Sequence, residues 1–254
     1  MNATALHLPR RAVKPRGSGL TMVIDGGIPL RYFTDLVSSA AEYIDFVKFG
    51  WGTAVVTSDL RAKIEALDAS GIGFYFGGTL FEKYVLQGRF DDFRNLCQEH
   101  SCRHVEVSNG TISMSNSEKS SYVRKLADDF TVVSEVGFKD PVRSEQLPPS
   151  RWIEYINEDL EAGASLVTLE ARESAKSGIC RPDGGLRFGL IEDVLASGIS
   201  QERLLFEAPT TSLQTYFITR IGPDVNLGNV PAHAVIGLET LRLGLRADTL
   251  TAFE

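Results

Sequence analysis

Short apolar runs alternate with longer segments of helical periodicity along the 254 residues of this chain. In the longer segments, apolar residues recur three and four positions apart, which is the spacing of amphipathic helices. Eight runs are predicted as strands, at residues 20–25, 44–48, 73–76, 104–107, 131–135, 166–170, 204–207 and 225–227. Eight strand–helix units in about 250 residues match the size of a closed parallel barrel. We therefore predict an α/β protein, a single-domain (β/α)8 TIM barrel.

The count of strands leaves one other architecture open. Residues 45–48 form a run that is short and not purely apolar, so a doubly wound open sheet also fits the alternation. No linker, low-complexity block or run of like charges divides the sequence. We predict one catalytic domain over residues 20–254, preceded by a partly ordered arm over residues 1–19.

Composition excludes several classes of function. The formal net charge of −7 argues against nucleic acid as the main partner. Three cysteines without CxxC spacing argue against a disulfide framework or a zinc site and favour a reducing cytoplasm. No apolar run approaches the ~18 residues of a membrane span, and the basic arm is not followed by the apolar core of a signal peptide. We expect a cytoplasmic protein without a membrane partner.

Four consecutive predicted strands carry a glutamate at or near their carboxyl end. These residues are Glu106, Glu135, Glu170 and Glu207. Parallel strands bring their carboxyl ends to one face, and carboxylates crowded there are costly unless a cation, a basic residue or a proton joins them. A salt bridge at the barrel rim would explain any one glutamate, but four in succession favour a functional site.

Basic residues follow the same strand ends. Lys48 closes the second predicted strand, and Lys139 and Arg172 follow the fifth and sixth. Acids mixed with bases suit a divalent cation that bridges a substrate carboxylate or phosphate, with lysine and arginine binding the remaining oxygens. Magnesium is favoured over zinc because the set contains no histidine or cysteine.

Other polar residues at strand ends are candidates for substrate binding. Asp25 closes the first predicted strand, and Asn109 follows the fourth. Gly228 and Asn229 precede the last predicted helix, at the position where barrels often hold phosphate.

Several motifs in the same order resemble the phosphosulfolactate synthase family. The resemblance extends from about residue 19 to residue 249. Its motifs are KFGWGT at 48–53, GGTLFE at 77–82, EVG at 135–137, RES at 172–174, FEAP at 206–209 and LETLRLGLR at 238–246. EVSNGT at 106–111 is similar to the bacterial branch of the family.

The resemblance implies a homo-oligomeric barrel that adds sulfite to phosphoenolpyruvate with Mg²⁺, giving (R)-2-phospho-3-sulfolactate. In this scheme Lys139 is the acid that protonates C2, and Lys48 and Arg172 bind anionic groups. The implied magnesium candidates are Glu106, Glu135 and Glu170. The implied substrate-binding residues are Asp25, Asn109, Glu207, Gly228 and Asn229, with Glu207 also expected to orient a lysine.

Four positions depart from the archaeal pattern of the family, among them Gly26, where a lysine is expected, and Ala171, where a glycine is expected. Asn109 stands where an aspartate is expected, and Phe138 stands where a second lysine is expected. Two alternatives therefore stay open: a barrel lyase with a different nucleophile or enol phosphate, and a non-catalytic relative like the plant heat-stress group.

Overall fold

Strands and helices alternate throughout the computed structural model, which describes residues 5–253. The strands in this range are β1 (Thr21–Asp25), β2 (Phe46–Phe49), β3 (Gly73–Phe76), β4 (His104–Val107), β5 (Thr131–Val136), β6 (Leu166–Leu169), β7 (Leu204–Glu207) and β8 (Leu227–Pro231). The α-helices are α1 (Leu30–Ala40), α2 (Thr53–Val56), α3 (Leu60–Ala69), α4 (Gly78–Leu86), α5 (Phe90–Glu99), α6 (Asn116–Ala127), α7 (Pro141–Gln146), α8 (Pro149–Glu161), α9 (Phe188–Ala196), α10 (Thr211–Ile221) and α11 (Val235–Arg242).

The eight strands form one parallel sheet in the order β3-β2-β1-β8-β7-β6-β5-β4. Each neighbour in this order is also a neighbour in the chain, apart from the β1–β8 pair that joins the first strand to the last. The two outer strands, β3 and β4, pack side by side and complete the ring. The protein is a single-domain (β/α)8 barrel, and the open doubly wound sheet is excluded.

The predicted last strand is wrong. Residues 225–227 were expected to form it, but β8 begins at Leu227 and continues to Pro231. Gly228 and Asn229 were expected after the strand, yet both lie inside it, where the register against β1 shifts. A glycine and an asparagine are tolerated there because the irregular strand needs an unusual backbone at this point.

The predicted arm, residues 1–19, is described from its fifth residue onward, and residues 1–4 lie outside the described part, as does residue 254 of the predicted domain. Arg11 of the arm is buried against the barrel. Its guanidinium pairs with Glu239 at 3.0 Å and donates to the carbonyl oxygen of Gly19 at 2.9 Å. These bonds tie the arm to the last helix.

Alternation along the strands sorts side chains into two layers. One layer faces the helices and forms the large core between sheet and helices. The other fills the barrel interior with a small apolar cluster: Leu20, Met22, Tyr75, Val133, Leu166 and Leu205. On β2, β4, β5 and β7 the last inward residue toward the carboxyl end is charged, and these residues carry the site described below.

The seam between β3 and β4 depends on a glycine and a histidine. A Cβ on Gly73 would lie 2.8 Å from the ring of Phe46 and 3.2 Å from the ring of His104. The absent side chain lets these two rings meet edge to face, with centroids 4.8 Å apart. Burial, aided by the nearby charge of Arg103, lowers the pKa of His104 below its ordinary 6.5.

Acidification is therefore expected to destabilise the fold through His104. Below about pH 6.5 the unfolded chain takes up a proton that the folded imidazole resists, so stability is lost as the pH falls toward the lowered folded pKa. The slope for one such group reaches at most about 1.4 kcal/mol per pH unit. Urea unfolding of the wild type and His104→Gln at pH 7, 6 and 5 isolates this contribution. If the difference in the free energy of unfolding between the two proteins stays constant from pH 7 to pH 5, the expectation is contradicted.

A buried ion pair supports β5 from outside the barrel. The ammonium of Lys119 lies 2.7 Å from the carboxylate of Asp159, and both side chains are fully buried. Lys119 also donates to the backbone oxygen of Glu135 at 2.8 Å, and Asp159 accepts from the hydroxyl of Ser134 at 2.6 Å. The pair thus holds the strand that carries Glu135.

We expect Lys119→Met to lower the free energy of unfolding by about 3–5 kcal/mol, because the variant leaves the carboxylate of Asp159 buried and uncompensated. The double variant Lys119→Met/Asp159→Leu removes both charges and is expected to be more stable than Lys119→Met alone. Urea denaturation at pH 7 measures both changes. Equal stabilities of the wild type and Lys119→Met would contradict the prediction.

Candidate active site

Charged side chains converge at the carboxyl ends of the strands, inside the barrel mouth. Four carboxylates, from Glu106, Glu135, Glu170 and Glu207, are each at most 2% exposed. They share this mouth with the ammonium group of Lys48 from β2. Their common direction follows from strand alternation, which places all of them on the inward face.

Lys48 lies between three of the carboxylates. Its ammonium nitrogen is 3.1 Å from Glu207, 3.3 Å from Glu106 and 3.8 Å from Glu135. Burial opposes the charged form, but the carboxylates of Glu106, Glu207 and Glu135 together hold the pKa of Lys48 well above its usual range. Lys48 is a permanent cation in this environment.

Lys139 enters the mouth from the loop after β5. Its ammonium nitrogen lies 2.7 Å from Glu135 and 2.8 Å from Glu170, and its side chain is 21% exposed. Burial acts against protonation, but these two carboxylates raise the pKa of Lys139 well above its usual range. The sequence prediction that Lys139, Glu135, Glu170 and Lys48 converge agrees with this geometry.

Three of the carboxyl groups have raised pKa values. Burial, followed by repulsion from Glu170, raises the pKa of Glu135 to about 7. Burial is also the largest cause that raises the pKa of Glu106 and that of Glu170. Such shifts indicate a site whose negative charge exceeds the positive charge around it.

Backbone N–H groups donate hydrogen bonds to Glu106 and Glu207. The amide of Gly78, at the start of α4, donates to Glu106 at 2.5 Å. A Cβ at this position would lie 2.8 Å from the Cβ of Ser108, so only glycine allows the close approach. The amides of Ala171 and Arg172 donate to Glu207 at 2.9 and 3.0 Å.

A divalent cation fits the donor set. Glu135, Glu170 and Glu207 each offer a carboxylate oxygen, and these oxygens lie within 4.8 Å of one another. Of the three predicted candidates, Glu135 and Glu170 belong to this set, and Glu106, whose two oxygens accept from Lys48 and Gly78, does not. Four carboxylates and two ammonium groups leave a formal surplus of two negative charges, which one divalent ion would balance.

Asp25 does not face the mouth, and its predicted role in substrate binding is corrected. It ends β1 on the outward face, in alternation with the inward Ile24. One carboxylate oxygen accepts from the amides of Gly27 and Ile28, at 2.7 and 2.8 Å, and the other pairs with Lys63 at 2.6 Å. Asp25 holds the loop after β1.

Two further predicted residues lie at the margin of the mouth. The amide nitrogen of Asn109 donates to the backbone oxygen of Met114 at 3.0 Å, which holds the loop after β4. The guanidinium of Arg172 donates to the backbone oxygen of Lys139 at 3.3 Å and lies 3.5 Å from Glu173. These contacts do not place either side chain among the inward carboxylates.

The predicted phosphate position at Gly228 and Asn229 is also revised. A Cβ on Gly228 would lie 2.9 Å from Met22 and 3.0 Å from Leu205, so the residue leaves room in the apolar interior. Asn229 lies among the carboxylates and donates to Glu207 at 2.5 Å. The segment expected to hold phosphate is therefore part of the strand.

One wall of the mouth is formed by Trp51, which the sequence did not identify. Trp51 lines the cavity with a left-handed backbone (φ of 54°), beside the glycines that begin α4. It was not among the predicted site residues, and it is 42% exposed. The available signal was its place between two glycines directly after β2.

Fold and site together define a (β/α)8-barrel enzyme with a buried acid–lysine centre at the carboxyl ends of its strands. Residues 9–248 match the family model described as (2R)-phospho-3-sulfolactate synthase (ComA). The chain is 51% identical over 249 residues to a phosphosulfolactate synthase of Bacillus subtilis, covering 98% of this chain and 99% of the relative. It belongs to the phosphosulfolactate synthase family.

Two more distant similarities put this assignment in context. The protein HEAT-STRESS-ASSOCIATED 32 of Arabidopsis thaliana is 24% identical over 260 residues, covering 91% of this chain and 88% of the plant protein. The YdjI aldolase of Escherichia coli superposes with a TM-score of 0.56 at 12% identity, over 93% of this chain and 89% of the aldolase, which shows the shared fold. No helix within residues 5–253 has the length and apolar character needed to cross a membrane.

Proposed function

We propose that this enzyme is a carbon–sulfur lyase working in the synthetic direction, a phosphosulfolactate synthase that adds sulfite to phosphoenolpyruvate to give (R)-2-phospho-3-sulfolactate with Mg²⁺. Membership of the family supports the product. The observation that carries the proposal is the position of Lys139, which is held between Glu135 and Glu170, while the buried Lys48 lies 3.8 Å from the other oxygen of Glu135. Such a centre provides both a proton donor and fixed positive charge.

The chemistry requires these two functions. The sulfur lone pair of sulfite forms a bond to C3 of phosphoenolpyruvate, and the π electrons of C2=C3 move onto C2 and the adjacent carboxylate. The fixed charge of Lys48 stabilises the negative charge that develops there. Lys139 transfers a proton from its ammonium nitrogen to C2, and its partly exposed side chain allows solvent to restore that proton.

Glu135 and Glu170 are the residues that we assign to the metal. Carboxylate oxygens are preferred ligands of Mg²⁺, and these two carboxylates also contact Lys139. When bound, Mg²⁺ would supply positive charge for the substrate and, by neutralising both glutamates, lower the pKa of Lys139 toward a value suited to an acid catalyst. Arg172 is assigned to the rim, as a guanidinium that attracts the anionic substrates.

Phosphorus NMR tests the reaction directly. We expect the phosphoenolpyruvate signal to disappear, and one new phosphate ester to appear, only when enzyme, sulfite and Mg²⁺ are all present. Turnover that persists in a chelator would remove Mg²⁺ from the proposal. Turnover of a different sulfur nucleophile or enol phosphate in preference to these substrates would favour the alternative lyase, and no turnover or ligand binding would favour a non-catalytic relative.

We also propose that the enzyme is a cytoplasmic homo-oligomer, as the family resemblance implies. Light scattering coupled to size-exclusion chromatography measures the mass of the assembly. A mass equal to the 27.8 kDa of one chain would contradict the oligomer.

A further inference from the structure

Asn229 occupies an unusual position in β8. Its φ of 49° lies in the left-handed region, although residues other than glycine rarely adopt it. It lies where β8 changes register against β1, and only 4% of the residue is exposed. A strained backbone in a barrel wall persists when the rest of the structure enforces it, and such strain concentrates at functional sites.

The hydrogen bond to Glu207 determines the orientation of the side-chain amide of Asn229. A carboxylate that already accepts from Lys48 and from two backbone amides requires a donor, so the nitrogen of Asn229 faces it, at 2.5 Å. The amide oxygen then points elsewhere in the mouth. It is buried and has no hydrogen-bond partner among residues 5–253. A buried acceptor without a partner is costly and calls for an explanation.

The chemistry of the mouth narrows the choice of partner for this oxygen. Phosphoenolpyruvate and sulfite present mainly acceptor oxygens, which an amide oxygen repels. Lys48 already donates to Glu106 and Glu207, and Lys139 donates to Glu135 and Glu170. A cation among the carboxylates is the partner that this acceptor fits, because amide oxygens are good ligands for hard divalent ions.

Glu207, unlike Asn229, has no free acceptor to offer to a cation. One of its oxygens accepts from Lys48 and Asn229, and the other accepts from the amides of Ala171 and Arg172. With four hydrogen bonds, its lone pairs are already used, although one of its oxygens lies within 4.8 Å of oxygens of Glu135 and Glu170. Its geometry is that of a residue that orients a ligand.

We propose that the amide oxygen of Asn229 is a ligand of the divalent cation, together with Glu135 and Glu170, and that Glu207 is a positioning residue that aims this amide. The inference rests on the proposed function, which brings Mg²⁺ to the site. It reverses the predicted role of Asn229, since the residue presents an acceptor to a cation and does not donate to phosphate.

Titration of the full-length protein with Mn²⁺, monitored by electron paramagnetic resonance, tests the affinity without substrate turnover. We expect Asn229→Ala to raise the Kd for Mn²⁺ at least ~10-fold, the range found when support of a metal ligand is lost. Asn229→Asp keeps an oxygen and adds charge, so it should bind Mn²⁺ at least as tightly as the wild type. Asn157→Ala, on the exposed face of α8, is the matched control and should bind unchanged. A wild-type Kd in Asn229→Ala would overturn the proposal.

A second measurement avoids dependence on a variant that fails to fold. Wild-type protein labelled with ¹³C at its asparagine amide carbons is loaded with Mn²⁺, and electron–nuclear double resonance detects ¹³C nuclei near the ion. We expect a ¹³C coupling from one directly ligated amide. This coupling should persist in Asn157→Ala and should be lost in Asn229→Ala. Mn²⁺ bound without any such coupling, in an enzyme that still needs metal for turnover, would refute the role of Asn229 and leave the proposed function intact. Turnover without any metal binding would refute both.

Discussion

Replacing Lys139 by alanine is expected to lower kcat by about 10²- to 10⁴-fold, the range for loss of a positioned acid catalyst. The ammonium of Lys139 lies between Glu135 and Glu170, so the variant removes the proton donor and leaves both carboxylates in place. KM for phosphoenolpyruvate should change much less than kcat, because the proton is transferred after the substrate has bound. Steady-state kinetics followed by phosphorus NMR measure both constants.

Two comparisons separate proton transfer from a general loss of charge. Lys139→Arg retains a cation whose pKa is too high for an acid, so it should remain as slow as the alanine variant. Small primary amines added to Lys139→Ala should restore part of the rate, more strongly as the pKa of the amine approaches the working pH. Lys83→Ala, on the exposed surface of α4, serves as the control. Wild-type kcat in Lys139→Ala would remove this lysine from the mechanism.

The convergence of the acids and lysines could be predicted from the sequence because it depends on only two regularities. Parallel strands place their carboxyl ends on one face, and alternate residues point to the same side. Glu106, Glu135 and Glu207 are the inward residues near the ends of β4, β5 and β7, and Lys48 has the same orientation on β2. Predicted strands as short as residues 104–107 and 204–207 were sufficient to place these side chains on the inward face, because strands of this length carry an unambiguous alternation.

The errors occurred where a residue at a strand end faced outward under the same alternation, or where its side chain was used within its own loop. Asp25 also closes a strand, but it points outward, toward Lys63 on α3, a residue 38 positions away in the sequence. Asn109 was assigned by its place after β4, although its amide is used within its own loop. The Asp25 contact arises from tertiary packing and the Asn109 contact from the fold of its loop, and neither is contained in the pattern of strand ends.

The register of β8 shows a second limit. The residues Gly228 and Asn229 favour a turn by their local propensities. The barrel overrides this preference because β8 must hydrogen-bond with both β1 and β7 to close the ring. The same stretch contains the strained backbone at Asn229, so the error in the bounds of the last strand coincides with a residue of functional interest.

Replacing Lys48 by methionine is expected to lower kcat/KM by about 10²- to 10³-fold, because it removes fixed positive charge from the position where negative charge develops. Methionine keeps most of the side-chain volume, so packing changes little. The variant should also lose about 3–5 kcal/mol of stability near neutral pH, since the carboxylates of Glu106 and Glu207 lose their shared buried cation. Activity assays and urea unfolding measure the two effects.

The pH dependence of Lys48→Met distinguishes loss of charge from loss of packing. Lys48 lowers the pKa of Glu106 and that of Glu135 against the larger effect of burial, so without it both values rise further above the ordinary 4.5. A folded state with raised carboxyl pKa values binds protons that the unfolded chain has released, so the stability of the variant should increase as the pH falls from 8 toward 5. The deficit relative to the wild type should therefore shrink over this range. A deficit independent of pH would assign the effect to packing, and the proposed role of Lys48 as the charge that balances these carboxylates would be wrong.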